Sequence, residues 1–113
     1  METKEKANNI ASLLDEKLAS NIVMFDMQGI SLLADYFIIA TGKSTRQNKA
    51  LQGYIEEAMT KQGLEPKQIE GQRSGEWILL DYGDVIVHLF TEEKRNYYDL
   101  ERLWKDASKI EVS

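Results

Sequence analysis

Residues Asp35–Thr45 read DYFIIATGKST. The run to Thr41 is rich in aromatic and β-branched side chains and reads as a strand that ends at Gly42. Ser44 or Thr45 then stands where a hydroxyl caps the free N–H groups of a helix's first turn. A strand that runs into a helix points to an α/β fold. The last residues also resemble the end of a phosphate loop, G-x-x-x-x-G-K-[ST]. The first glycine, which lets such a loop curl its N–H groups around the phosphates, would fall at position 37, and that position is Phe37. The cradle cannot form. The stretch is a capped strand-to-helix turn, where a lone anion would bind only weakly through the helix dipole.

On the N-terminal side, Ala7, Ile10, Ala11, Leu14 and Leu18 recur at helical spacing and predict an amphipathic helix over residues 3–20. NIVMFDM reads as a strand, joined by the short GISLLA connection to the strand at Asp35. On the C-terminal side a helix is expected from Thr45 to Gln62, with Leu51, Tyr54, Ile55, Ala58 and Met59 on one face and Gly63 ending it. Pro66 bars further helix, PKQIEG suits a short edge strand, and GQRSG is a turn. A long hairpin follows, EWILLDYGDVIVHLF, then TEEKRNYYDLERLW, where Thr91 and Lys94 have cap spacing and Tyr97, Leu100, Leu103 and Trp104 are positioned for packing. The tail, residues 106–113, is expected to fray. The order helix, strand, strand, helix, three strands, helix predicts a single α/β domain over residues 1–113, a mixed β-sheet flanked by α-helices.

Composition narrows the chemistry. The chain has no cysteine, which excludes disulfides, thiolate metal sites and cysteine nucleophiles. It shows no apolar leader or membrane span, so a cytoplasmic location is expected. Its net charge of -5 disfavours extensive direct nucleic-acid binding, and cations gather in only one run, GKSTRQNK. From Glu70 to Glu93 six acids face the single base Arg73, so a basic protein is the better partner.

Asp81, Asp84 and His88 lie close together in sequence, but hairpin geometry argues against a metal or acid-base site. A Tyr82-Gly83 turn would set Asp81 opposite Asp84, which like charges disfavour. With Gly83-Asp84 as the loop, Gly83 takes the first position of a type II′ turn and Asp84 leaves the ladder. Both registers place Ile78, Leu80 and Tyr82 on one face with Val85, Val87 and Leu89, a core face. The other face carries Trp77, Leu79 and Asp81 beside Ile86, His88 and Phe90 and is also largely apolar, so either a helix of the same domain or a partner must cover it. A lone histidine without a second histidine or a thiol is a poor metal site.

The stretches DYFIIATGKSTRQ, GLEPKQIEGQRSGEWILLDYGDVIVHLF and NYYDLERLW together resemble the ribosomal silencing factor family, also called Iojap-like, from about Asn21 to Trp104. The most specific motif is W-I-x-x-D-x-G-D-V-x-V-H-x-F, Trp77 to Phe90. The resemblance implies a nucleotidyltransferase-like fold without transferase activity and without catalytic residues. It implies binding to the large ribosomal subunit through large ribosomal subunit protein fourteen, a block to joining of the two subunits, and repression of translation when nutrients run short. It also implies a homodimer when free. Carried over by position, Trp77 and Tyr82 would meet the partner, and the partner-binding set expected on the hairpin is Trp77, Leu79, Asp81, Tyr82, His88 and Phe90. A general role in assembly of the large subunit is the alternative. No enzyme is expected: a nucleotidyltransferase needs a Gly-Ser pair followed after roughly a dozen residues by two strand-borne acids for magnesium. After Gly42 the nearest paired acids are Glu56 and Glu57, on a helix and pointing to different sides. No cofactor or metal is expected.

Overall fold

The strand read at Tyr36–Gly42 is the centre of the molecule: in the computed structural model, which describes residues 1–112, every one of its residues is buried. In chain order the elements are α1 (Thr3–Glu16), β1 (Ser20–Asp26), β2 (Tyr36–Gly42), α2 (Thr45–Lys61), β3 (Gln68–Glu70), β4 (Trp77–Asp81), β5 (Val85–Thr91), α3 (Glu92–Tyr98), a 3-10 turn (Leu100–Trp104) and β6 (Ser108–Glu111). The six strands form one mixed sheet in the order β3-β4-β5-β2-β1-β6. β2 and β5 run parallel, with Ile38 beside Val87 and Ala40 beside Leu89, and the other neighbours are antiparallel.

The turn after β2 is capped on both sides. Ser44, the N-cap, accepts at Oγ from the Gln47 N–H at 3.0 Å, and Gln47 Oε1 accepts in turn from the N–H of Lys43, the residue before the cap, at 2.7 Å. The helices α1 and α2 pack on one sheet face, where Ile10, Leu14, Leu51, Ile55 and Met59 meet Ile38, Ile78, Leu80, Val87 and Leu89. α1 stops short of the expected residue 20 because Leu18 takes a φ of 68° and the Ala19 N–H closes on the Leu14 carbonyl at 2.9 Å. Leu18, assigned by periodicity to the buried stripe, is therefore exposed.

The hairpin has the Gly83-Asp84 loop. Asp81 pairs with Ile86, the Tyr82 N–H reaches the Val85 carbonyl at 2.9 Å, and Gly83 has a φ of 88°, open to glycine at little cost. Freed from the ladder, Asp84 accepts from Lys6 Nζ and Thr3 Oγ1, each at 2.5 Å, and ties the start of α1 to the hairpin tip. Burial pushes its carboxyl up, but the Lys6 and Thr3 hydrogen bonds outweigh this and leave its pKa lowered.

The tail does not fray where it was expected to. Ser108–Glu111 pairs antiparallel with β1, Met24 beside Ile110, and the Val112 N–H reaches the Ile22 carbonyl at 2.8 Å. The physical reason is that β1 would otherwise leave a row of backbone groups unpaired at the sheet edge. Ser113 lies outside the described residues.

Candidate partner-binding face

The second face of the sheet is covered from within the chain, and only in part. Val23, Phe25, Met27, Phe37, Ile39 and Phe90 form its buried floor. The segment after β5 folds back across this floor: Trp104 packs on Phe37 at 4.5 Å and edge-on to Phe25 at 5.4 Å between ring centroids. Arg95 holds that cover down, donating through its guanidinium to the Asn21 carbonyl at 2.6 Å, to Thr41 Oγ1 at 2.9 Å and, from Nε, to Glu101 at 2.9 Å. The cover reaches β4 only at Trp77, through Tyr98. Trp77, Leu79 and Asp81, with Ile86 across the ladder, remain half-buried and reachable.

The expected site residues thus separate into three groups. Trp77 stacks on Phe90 at 5.0 Å and against Tyr98 at 4.7 Å, with part of its indole open. Together with Glu70, Gly71 and Leu79 it lines a shallow depression of about 300 Å³ beside the short edge strand β3. Asp81 lies on the same face, its Oδ1 accepting the Gly83 N–H at 2.7 Å, so it shapes the turn as well as charging the edge.

His88 and Phe90 lie beneath this surface. Phe90 is fully enclosed and His88 is 5% exposed. His88 Nδ1 accepts the Trp77 indole N–H at 3.1 Å, and its ring is walled by Phe37, Phe90 and Trp104. Burial pushes the imidazole down to about 4, so the ring is neutral at physiological pH.

Tyr82 points to the opposite face, into the core against the helices, as strand alternation requires. Among the described residues its buried hydroxyl has no hydrogen-bond partner. Burial, and then the nearby charges of Glu56 and Glu65, push its pKa up to about 12. Among the described residues no group of three or more His, Cys, Asp or Glu is disposed to hold a metal ion, and no helix is long and apolar enough to cross a membrane.

Sequence periodicity marked Trp104 and Leu100 as packing residues without showing which sheet face they meet. The clasp made by Arg95 was not legible, because its partners Asn21 and Thr41 lie more than fifty residues away in the chain.

A family model described as ribosomal silencing factor during starvation matches residues 1–113. Ribosomal silencing factor RsfS of Halalkalibacterium halodurans is 39% identical over 112 residues, covering 99% of this chain and 96% of that protein. A crystal structure of a protein from Chromobacterium violaceum superposes with a TM-score of 0.89 at 36% identity, covering 92% of this chain and 87% of that one. A more distant relative, mitochondrial assembly of ribosomal large subunit protein 1 of Mus musculus, is 33% identical over 98 residues, covering 84% of this chain and 43% of that protein. With its hairpin motif, its mixed six-stranded sheet and a family match along its whole length, this chain belongs to the ribosomal silencing factor family.

Proposed function

We propose that the chain is a non-enzymatic factor that binds the large ribosomal subunit through large ribosomal subunit protein fourteen, blocks joining of the small subunit and so represses translation when nutrients are scarce. The observation that carries this reading is the strip of Trp77, Leu79 and Ile86, which the chain's own cover leaves partly open and which Asp81 and Glu70 border. An aromatic anchor on an apolar patch with a polar, charged rim is the anatomy of a protein interface. The acids at its edge suit a basic protein.

Within the expected set, Trp77, Leu79 and Asp81 take the direct contacts. His88 and Phe90 hold Trp77 in place from below, and Tyr82 supports the hairpin from the core side. Steric exclusion of the second subunit requires no bond chemistry, and the family to which the chain belongs is defined by silencing. The name of the mouse relative favours one second reading, a role in assembly of the large subunit, for which the same surface would serve.

Sucrose-gradient sedimentation tests the proposal. The chain is expected to travel with large subunits and to lower the fraction of joined ribosomes. Leu79→Asp is expected to abolish both effects while leaving the melting temperature within a few degrees of wild type. Unimpaired joining with the wild-type chain bound would favour the assembly reading. Unimpaired binding of Leu79→Asp would remove β4 from the interface.

A further inference from the structure

We infer that a cationic patch built from the start of α2 and the loop 71–75 contacts ribosomal RNA phosphates when the chain is seated on the large subunit. The inference rests on the reading that the large subunit is the partner. From Lys43 to Ile55 the chain carries Lys43, Arg46 and Lys49 and no carboxylate, and the stretch Gly71–Gly75 adds Arg73, again with no carboxylate. The remaining ten Lys and Arg share the rest of the chain with all nineteen Asp and Glu. The patch is thus a local reversal of sign on an acidic protein.

The fold brings the two segments together. Asn48, fully buried, donates from Nδ2 to the Gly75 carbonyl at 2.9 Å. Gly75 lies so close to α2 that a Cβ there would come within 2.9 Å of Thr45 Cβ and 3.0 Å of Lys49 Cε. Arg46 and Lys49 stand one helical turn apart, and Lys43, Arg46, Lys49 and Arg73 are all exposed. Among the described residues none of the four pairs with a carboxylate. Four exposed cations with no internal partner are available to an external anion.

Position favours RNA as that anion. The loop that carries Arg73 leads through Glu76 into Trp77, and the Thr91 N–H bonds the Glu76 carbonyl at 3.0 Å. The patch therefore adjoins the proposed protein contact along the chain, at the end of the sheet where Gly42 pairs with Thr91, while α2 itself packs on the sheet face opposite Trp77. A particle rich in RNA would present phosphates around any protein seated on its surface. With net charge -5, the chain should hold free RNA poorly, so the patch acts as a second contact beside a protein anchor.

The test is equilibrium binding of the full chain to purified large subunits across a range of monovalent salt. Wild type is compared with K43Q/R46Q/K49Q/R73Q and with the charge-keeping swap K43R/R46K/K49R/R73K, and each is also titrated against isolated large ribosomal subunit protein fourteen. If each cation meets one phosphate, the neutralised variant loses about 3 units of the slope of log affinity against log salt, so doubling the salt weakens wild type about eightfold more than the variant. At about 0.1 M salt the neutralised variant should bind large subunits at least tenfold more weakly, with binding to the isolated protein unchanged. The swap should retain the wild-type slope. Single changes such as R46Q should each remove a little under about one unit of slope, so the result does not depend on folding of the quadruple variant.

Equal affinity of the neutralised variant, or a swap that behaves like it, would overturn the proposal. Loss of affinity at an unchanged slope would point instead to contacts that are not ionic and overturn the assignment to phosphates. Wild type that binds subunits with the expected slope but ignores the isolated protein would support the patch and remove the proposed anchor. Wild type that fails to bind large subunits would overturn both readings.

Discussion

The Trp77 indole N–H donates to Nδ1 of His88 across 3.1 Å, joining a partly exposed tryptophan to an enclosed imidazole. Trp77→Phe keeps an aromatic ring over Phe90 but leaves Nδ1 buried without a donor, at a cost of about 1–3 kcal/mol. For a domain of this size that lowers the melting temperature by several degrees. Calorimetry of the variant checks it, and an unchanged midpoint would show that the pair holds nothing.

The neutral, buried His88 makes stability depend on pH. Its pKa is near 6.5 when unfolded and about 4 when folded, so between these values the unfolded chain takes up a proton that the folded chain refuses. Its contribution is complete above pH 6.5 and is lost as pH falls towards 4, by about 2 kcal/mol at pH 5 and about 3 kcal/mol in full. Urea titrations at pH 7 and 5 should show the difference, and His88→Leu should remove most of it. Equal losses in both proteins would assign the pH dependence to other groups.

Asp84 offsets the charge of Lys6, whose side chain is only 8% exposed. Asp84→Ala strands that ammonium and should cost about 2 kcal/mol, below the range for fully buried pairs because the Asp84 carboxylate is 30% exposed. Adding Lys6→Met should recover much of the loss. A double-mutant cycle with no coupling would count against the pin between α1 and the hairpin.

Two glycines separate backbone strain from crowding. Gly63 has a φ of 77° and open space around it, so Gly63→Ala should cost about 1–2 kcal/mol. Gly71 has a φ of 80°, and a Cβ there would sit 1.9 Å from the Trp77 carbonyl oxygen. Gly71→Ala should therefore cost clearly more and displace the start of β4, visible as a change in Trp77 fluorescence. Equal effects on melting would exclude the crowding term.

The open strip on β4 should also drive self-association when no ribosome is present. An isologous pair would place the same patch on both copies, and Leu79→Asp would then charge it twice. Light scattering at micromolar concentration should find a dimer for wild type and a monomer for the variant. A monomeric wild type would sink this expectation.

Local signals were enough for the sheet's main strands and for the hairpin register. Tyr36–Thr41 is rich in aromatic and β-branched residues, and Gly83 supplies the positive φ that a two-residue loop demands. Alternation likewise put Ile78, Leu80 and Tyr82 on the helix-covered face. Such features depend on residues a few positions apart, and sequence periodicity records them directly. What covers the other face depends on contacts of long range. Trp104 could be marked for burial, yet only the returning chain sets it on Phe25 and Phe37 and turns the expected loose tail into β6. The same packing encloses His88 and Phe90 while leaving Trp77 and Leu79 partly open. Alternation assigns a side chain to a face, but its solvent exposure is decided by which distant segment folds over that face and where that segment ends.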